Sequence, residues 1–330
     1  MEILIVKTTS LGDIIQSLPV LARLKAAFPH AHIDWVVEKP FAELLSAHPD
    51  VRHVIPLEVR KWKKNLLKSR RSIKGAIQSL RKTHYDLLID LQGNIKSGLI
   101  TYFVPAKEKI GTTFRSAPEW PNAFFLTHRY PQNKHAPITL QYLSIIENHF
   151  NLKGEAMPRP VELNISDEDK TWIESKLVSQ EKIMVCPGAH WENKKLSLST
   201  WIEILKKQSQ QAHFYFVWGS ERERQEGLSL SAQFPMRSTV LPKMTLPVWQ
   251  RFMTRMDQIF TVDSSALHLA ATTTASTTSF FGPSAAAVYK PPGTRHHAIQ
   301  GTCPYGKTFS KRCPILRTCK TGACIKNILI

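Results

Sequence analysis

Short runs of apolar and β-branched residues alternate with longer segments of helical period along this chain, and they do so in two separate series. The first series holds ILIV (3–6), HIDWVVE (32–38), VRHVI (51–55) and DLLIDL (86–91). The second holds KIMVC (182–186), HFYFVW (213–218), STVL (238–241), QIFTV (258–262) and STTSFF (276–281). Such runs, with helices between them, predict parallel strands, because a parallel connection has to cross the sheet and a helix fills that crossover. After ILIV, the positions Ile15, Leu18, Leu21, Leu24 and Phe28 keep one helical face apolar, and Pro19 predicts a first turn nearby, where a missing N–H is tolerated. NLKGEAMPRPVELNIS (151–166) breaks the period with Pro and Gly and predicts a linker. The expected fold class is α/β, with two doubly wound domains over 1–155 and 156–309 and a basic, Cys-bearing, partly helical tail over 310–330.

Composition narrows the function classes. A chain of 330 residues with 42% hydrophobic and 21% charged residues can bury two cores and is not a disordered polymer. No stretch approaches the roughly 20 apolar residues of a spanning helix, and Glu2 stands where a signal peptide carries positive charge. A cytoplasmic location is expected. The formal net charge is +18. Arg60 to Lys82 carries ten basic residues and no acid, and no acid follows Ser264. Such fields attract polyanions: nucleic acid, an anionic membrane or a phosphorylated substrate. Only Trp62 interrupts the basic run, whereas single-stranded nucleic-acid binding wants interleaved aromatics. No nucleic-acid partner is expected. Cys186 stands alone, and Cys303, Cys313, Cys319 and Cys324 lack a C-x₂-C spacing. Even with His296 and His297 nearby, reduced thiols and no metal are expected.

GTCPYGKT (301–308) matches the spacing of a phosphate-cradling P-loop. That chemistry needs a buried strand before the loop and a helix after it. The preceding GTRHHAIQ does not read as a buried central strand, Pro304 removes a backbone donor and Pro314 limits a following helix, so the match is a decoy. KTTSLGD (7–13) is more informative, because it leaves the C-terminal end of the first strand, where open α/β sheets bind ligands. Lys7 and Ser10 can meet an anion, Gly12 permits close backbone approach, and Asp13 brings a carboxylate to the helix start; it can equally be a simple helix cap. In the second series, VCPGAHWENKK (185–195) delivers His190, Lys194 and Lys195 to a strand end, VWGSERE (217–223) presents Glu221, and FTVDSSALHLAA (260–271) places Asp263, Ser264 and Ser265 at a helix start. Hydroxyls at a helix N-terminus suit a diphosphate. Asp263 can also be a cap alone, and His268 a satisfied core histidine. The absence of G-x-G-x-x-G argues against a nicotinamide dehydrogenase.

Through these segments the chain resembles glycosyltransferase family 9, the ADP-heptose–lipopolysaccharide heptosyltransferases, and within it the heptosyltransferase I pattern. ILIVKTTSLGDIIQSLPVL, DWVVEKPFAELLSAHPDVRHVIPLEVRKWKK (34–64), DLQGNIKSGL (90–99), PGAHWENKKLSLSTW, WGSER, LPKMTL and VDSSALHLAA carry the resemblance in order. It implies a GT-B fold, two Rossmann-like domains facing across a cleft, with the tail packing back on the first. It implies inverting, metal-independent transfer of L-glycero-D-manno-heptose from ADP-heptose to Kdo of Kdo-lipid A, with no cofactor, on the cytoplasmic face of the inner membrane. Asp13 is implied as general base and Lys194 as the lysine on the donor phosphates. Leu11, Gly12, Ala189, His190, Glu221, Met244, Asp263, Ser264, Ser265, Ala266 and His268 are implied donor contacts, Glu221 at the ribose and Met244 at the adenine. Lys7, Ser10, Arg60, Lys61, Lys63, Lys64, Lys96 and His135 are implied on the acceptor side, where the basic stretch also suits an anionic membrane surface. A monomer is expected. The chain departs from the family at Ser264-Ser265, where Thr-Gly is usual, at Pro118, where the heptosyltransferase I pattern has an arginine, and in a tail closer to heptosyltransferase II relatives. A family 9 enzyme with another acceptor or donor is the alternative, and a basic nucleic-acid-binding protein a distant one.

Overall fold

The structure, a computed structural model, describes residues 1–152, 158–326 and 328, and the side chains of Lys63 and Leu66 lie outside that description. The chain divides into two compact units, Met1–Arg159 and Pro160–Ile330.

The first unit is built on β1 (Glu2–Val6), β2 (His32–Glu38), β3 (His53–Leu57), β4 (Tyr85–Asp90), β5 (Ala106–Thr112) and β6 (His128–Tyr130). They form one sheet in the order β3-β2-β1-β4-β5-β6, with all pairings parallel. Ile3, Leu4, Ile5 and Val6 have no exposed surface, as a central parallel strand covered on both faces demands. Each such side chain contributes roughly 1.5–3 kcal/mol by leaving water. Pro19 opens a second helix, Pro19–Ala27, directly after Leu11–Ser17, so the single expected helix is two.

The second unit repeats the plan with β7 (Lys182–Cys186), β8 (His213–Phe216), β9 (Ser238–Val240), β10 (Gln258–Val262), β11 (Ser276–Phe281) and β12 (His296–Gln300). Their order, β12-β11-β10-β7-β8-β9, is that of the first sheet. Trp201, Phe214, Phe216 and Phe280 fill one face of its core.

Three strands, β5, β6 and β12, were not expected from the sequence. Each lies toward a sheet edge, where half-exposed residues replace a continuous apolar run. β12 supplies a strand before GTCPYGKT, but an edge strand, and Cys303–Gly306 then forms a turn rather than a helix start. The described part of the tail is folded into the second unit. Ile325 is fully buried in that unit's core, and a Cβ at Gly282 would stand 2.6 Å from the Ile325 side chain. An isoleucine buried there holds the tail on the sheet that precedes it. No helix among the described residues is long and apolar enough to cross a membrane.

Candidate active site

Both sheets reverse strand order between their first and fourth strands, and an open α/β sheet receives ligand outside the C-terminal ends at such a point. In the second unit those strands are β7 and β10, where Thr261 pairs with Cys186, so the following loops leave side by side. The β7 loop passes through a short 3-10 turn, Glu192–Lys194, and turns the Lys194 ammonium onto Asp263 Oδ2 at 2.5 Å. Both side chains are largely buried, 12% and 7% exposed. Burial alone would raise the Asp263 carboxyl, but the Lys194 charge and hydrogen bond, with His268 close by, hold it below the usual carboxylate range. Ser264 caps the helix Ser265–Ala270, and its hydroxyl is buried with no hydrogen-bond partner among the described residues. Beside an ammonium and the first turn of a helix, such a hydroxyl suits the oxygens of an anion.

The lysine loop is held from behind. The Asn193 side-chain amide donates to the carbonyls of Leu316 and Cys319 in the tail. Gly322 makes that approach possible: its φ is +60°, and a Cβ there would stand 2.9 Å from the Asn193 Cα.

In the first unit the corresponding strands are β1 and β4, with Val6 opposite Asp90. Gln92 Oε1 accepts from the Thr8 and Thr9 amides, each at 3.0 Å. Lys7 is buried, donates to the Leu91 carbonyl at 3.1 Å and lies 4.7 Å from the Tyr142 ring centre, so it braces the strand ends. Asp13 Oδ2 accepts from the Ser10 amide at 3.1 Å and the Ser10 hydroxyl at 2.6 Å, closing a capping box on Leu11–Ser17. Leu11, Gly12 and Asp13 are half-buried there and Ser10 is exposed.

The family model for glycosyltransferase family 9 (heptosyltransferase) matches residues 73–318. The lipopolysaccharide heptosyltransferase 1 of Pseudomonas aeruginosa is 31% identical over 86% of this chain and 79% of its own. The chain belongs to glycosyltransferase family 9. The lipopolysaccharide heptosyltransferase 1 of Escherichia coli K12 is 28% identical over 86% of this chain and 88% of its own. A solved structure described as E. coli heptosyltransferase WaaC with ADP superposes with a TM-score of 0.78 at 24% identity, covering 90% of this chain and 92% of that one. The two doubly wound sheets are those of a GT-B glycosyltransferase.

Other expected positions of this family 9 enzyme fall as follows. Ala189 is buried and His190 exposed, its ring edge-on to Trp191 at 5.3 Å. Glu221 is exposed in the first turn of Glu221–Ser231, bound by Arg224 and Gln225. Its neighbour Glu223, absent from the expected set, takes the Gly219 and Ser220 amides and forms the capping box; the S-x-x-E spacing was its signal. Met244 is half-buried between β9 and the helix Leu246–Met253, and Ser265 and Ala266 begin the helix after Asp263. On the basic side, Arg60, Lys61, Lys64 and Lys96 are exposed, and the Lys63 side chain lies outside the described residues. Lys61 pairs with Glu58 at 3.6 Å. Glu38, also not expected, accepts the Arg60 backbone amide at 2.9 Å. Burial lifts its carboxyl above the usual range even though the charges of Arg60 and Lys96 pull the other way. Those two cations are thus brought around one buried acid. His135 is exposed before the helix Ile138–Phe150, its amide donating to Asn133.

The tail thiols Cys303, Cys313, Cys319 and Cys324 are unpaired, and among the described residues no group of three or more His, Cys, Asp or Glu is set to hold a metal. His296 is a core histidine, its Nδ1 at 2.9 Å from the Thr277 hydroxyl.

Proposed function

We propose that this enzyme transfers L-glycero-D-manno-heptose from ADP-heptose to a Kdo sugar of Kdo-lipid A during assembly of the lipopolysaccharide inner core, inverting the anomeric centre without a metal or cofactor. The observation that carries the donor half is the Lys194–Asp263 pair beside the unpartnered Ser264 hydroxyl at the second unit's switch point. The relatives named heptosyltransferase 1, and a like fold described with ADP, support the same donor and sugar.

Asp13 takes the proton of the acceptor hydroxyl as that oxygen bonds to the anomeric carbon. The bond from that carbon to the diphosphate oxygen breaks with its electron pair, and ADP leaves. Lys194 and the Ser264 hydroxyl offset the charge that gathers on the departing diphosphate. Leu11, Gly12, Ala189, His190, Ser265, Ala266 and His268 line the donor, with Glu221 at the ribose and Met244 at the adenine. Ser10, Arg60, Lys61, Lys63, Lys64, Lys96 and His135 meet the acidic acceptor, and Lys7 holds the loop that presents it. The enzyme works as a monomer at the cytoplasmic face of the inner membrane, whose anionic lipids attract the 60–82 run.

ADP release from ADP-heptose, with and without Kdo-terminated lipid A, tests the proposal. Acceptor-dependent release is expected. Release driven by a heptose-terminated acceptor alone would shift the assignment to the next transfer in the core, and no release with either would reject the donor.

A further inference from the structure

The helix Ile95–Phe103 is amphipathic in an unusual sense. Its inner face, Ser97, Gly98, Ile100 and Thr101, is buried, yet its outer face is also apolar: Ile95, Leu99 and Tyr102 stand at i, i+4 and i+7 and are all exposed. Tyr102 is 63% exposed. The 3-10 segment Trp120–Phe125 packs against this helix so tightly that a Cβ on Gly98 would lie 2.5 Å from the Phe125 ring. It adds Trp120 and Phe124, 59% and 65% exposed. Ring contacts join the set: Trp120 to Phe124 at 5.8 Å, Phe124 to Phe114 at 5.2 Å, and Tyr102 to Phe125 at 6.2 Å. Large apolar side chains scattered singly over a surface need no explanation, but a contiguous aromatic set held by fixed packing does.

Its surroundings point to the occupant. The Arg129 guanidinium lies 5.2 Å from the Phe114 ring, and that of Arg81 lies 5.5 Å from Phe103. The Lys109 ammonium donates to the Thr101 carbonyl, and that of Lys134 to the Arg115 carbonyl beside Phe114. Lys96 sits on the helix itself, between Ile95 and Ser97. Two carboxylates are tied to this region by described contacts: Asp90 is fully buried behind it, accepting from the Asn122 amide and the Thr101 hydroxyl, and Glu119 accepts the Ile95 amide at the helix start. An apolar centre rich in Trp, Tyr and Phe with a cationic border matches an anionic bilayer, whose interface takes aromatic rings while its headgroups pair with Lys and Arg.

We infer that the face formed by Ile95, Leu99, Tyr102, Phe114, Trp120 and Phe124 inserts into the interface of an anionic lipid bilayer and docks the first unit there. The inference deepens the proposed function only by naming how the enzyme meets the surface that carries its lipid acceptor; it stands on this face, not on the sugar chemistry. The cationic border gathers the protein at the surface, and the aromatic centre holds it.

Sedimentation with phosphatidylcholine vesicles, with and without phosphatidylglycerol, tests it on the full chain. Binding is expected with the anionic vesicles and to fall at least about tenfold in the triple variant Tyr102→Ser/Trp120→Ser/Phe124→Ser. Quenching of tryptophan fluorescence by lipids brominated along the acyl chain is expected to drop in Trp120→Phe, which keeps the ring size and the fold. Turnover of a soluble, deacylated Kdo acceptor by the triple variant should match the parent. That arm can fail for the parent while vesicle binding persists, which separates the two proposals. Undiminished vesicle binding by the triple variant would overturn the inference. So would equal loss of turnover on the deacylated acceptor, which makes the face part of the acceptor site, or a dimer-to-monomer change in the triple variant with vesicle binding intact, which makes it a contact between copies.

Discussion

Lys194 and Asp263 come from the loops that follow the two strands flanking the switch point of the second sheet, and their side chains meet at 2.5 Å with little exposure. Removing one partner of such a pair leaves a buried charge unmatched, which costs about 3 kcal/mol or more. Lys194→Ala is therefore expected to lower both stability and turnover. The double variant Lys194→Met/Asp263→Leu separates the two roles: thermal melting should recover most of the loss, while kcat stays down by roughly 10²–10³ because the diphosphate has lost its cation. Recovery of turnover along with stability would leave the pair as structure only.

Asp13 is a capping residue by geometry and a base by proposal, and the Ser10 hydrogen bonds allow the two to be distinguished. In Asp13→Asn the amide oxygen still accepts from Ser10, so melting should be unchanged and ADP binding kept. Turnover should fall about 10²–10⁴-fold, the range of a lost general base. In Asp13→Ala the cap goes as well, at about 1 kcal/mol. Parental turnover in the Asn variant would show that Asp13 is a cap alone.

The sheets were legible because their central strands are buried on both faces, and ILIV, DLLIDL, KIMVC and QIFTV leave little other choice. β12 was hidden because HHAIQ is half-exposed and polar at a sheet edge, and β5, AKEKIGT, because its first half is charged and half-exposed although it lies inside the edge strand β6. The polar strand ends at Asp13, Lys194 and Asp263 could be named, since topology sends strand ends to the ligand side. What sequence could not carry were partnerships across long separations: Asn193 with the tail carbonyls, Gln92 with the Thr8 and Thr9 amides, Glu38 with Arg60. Each depends on which loops the finished sheets bring together, and no local spacing encodes that.

Asn193 gives a prediction of this kind. Its side-chain amide ties the Lys194 loop to the tail, and its own position is closed in by Gly322. Asn193→Ala leaves two tail carbonyls without that donor, at about 1–3 kcal/mol. The expected result is a raised KM for the donor with a smaller change in kcat, because the lysine is displaced rather than lost. Isothermal titration with ADP should show the weakened binding, and an unaltered ADP affinity would detach the tail from the donor site.

Glu221 and Glu223 lie two residues apart and should behave oppositely. Glu223→Ala removes the acceptor for the Gly219 and Ser220 amides and should destabilise the enzyme by about 1 kcal/mol. Glu221→Ala should leave melting unchanged and raise the KM for ADP-heptose. A donor KM that responds to Glu223 and not to Glu221 would move the ribose contact by two positions.

His48 and His296 set a pH dependence apart from catalysis. Burial lowers the pKa of each to about 4, and for His296 the charges of Arg295, Lys290 and His297 add to it. His48 stays neutral to accept the Asp50 amide at 3.2 Å. The folded values lie below the unfolded value near 6.5, so between about pH 4 and 6.5 the unfolded chain binds more protons. Their contribution is full above pH 6.5 and is lost as pH falls toward 4, on the order of 3 kcal/mol per histidine at full titration. Melting between pH 7 and 5, above the range where most carboxylates titrate, isolates the effect. Tm should fall with pH in the parent, and His48→Asn or His296→Asn should each flatten that slope whatever its effect on Tm at pH 7. A slope unchanged in both variants would assign the acid sensitivity to other groups.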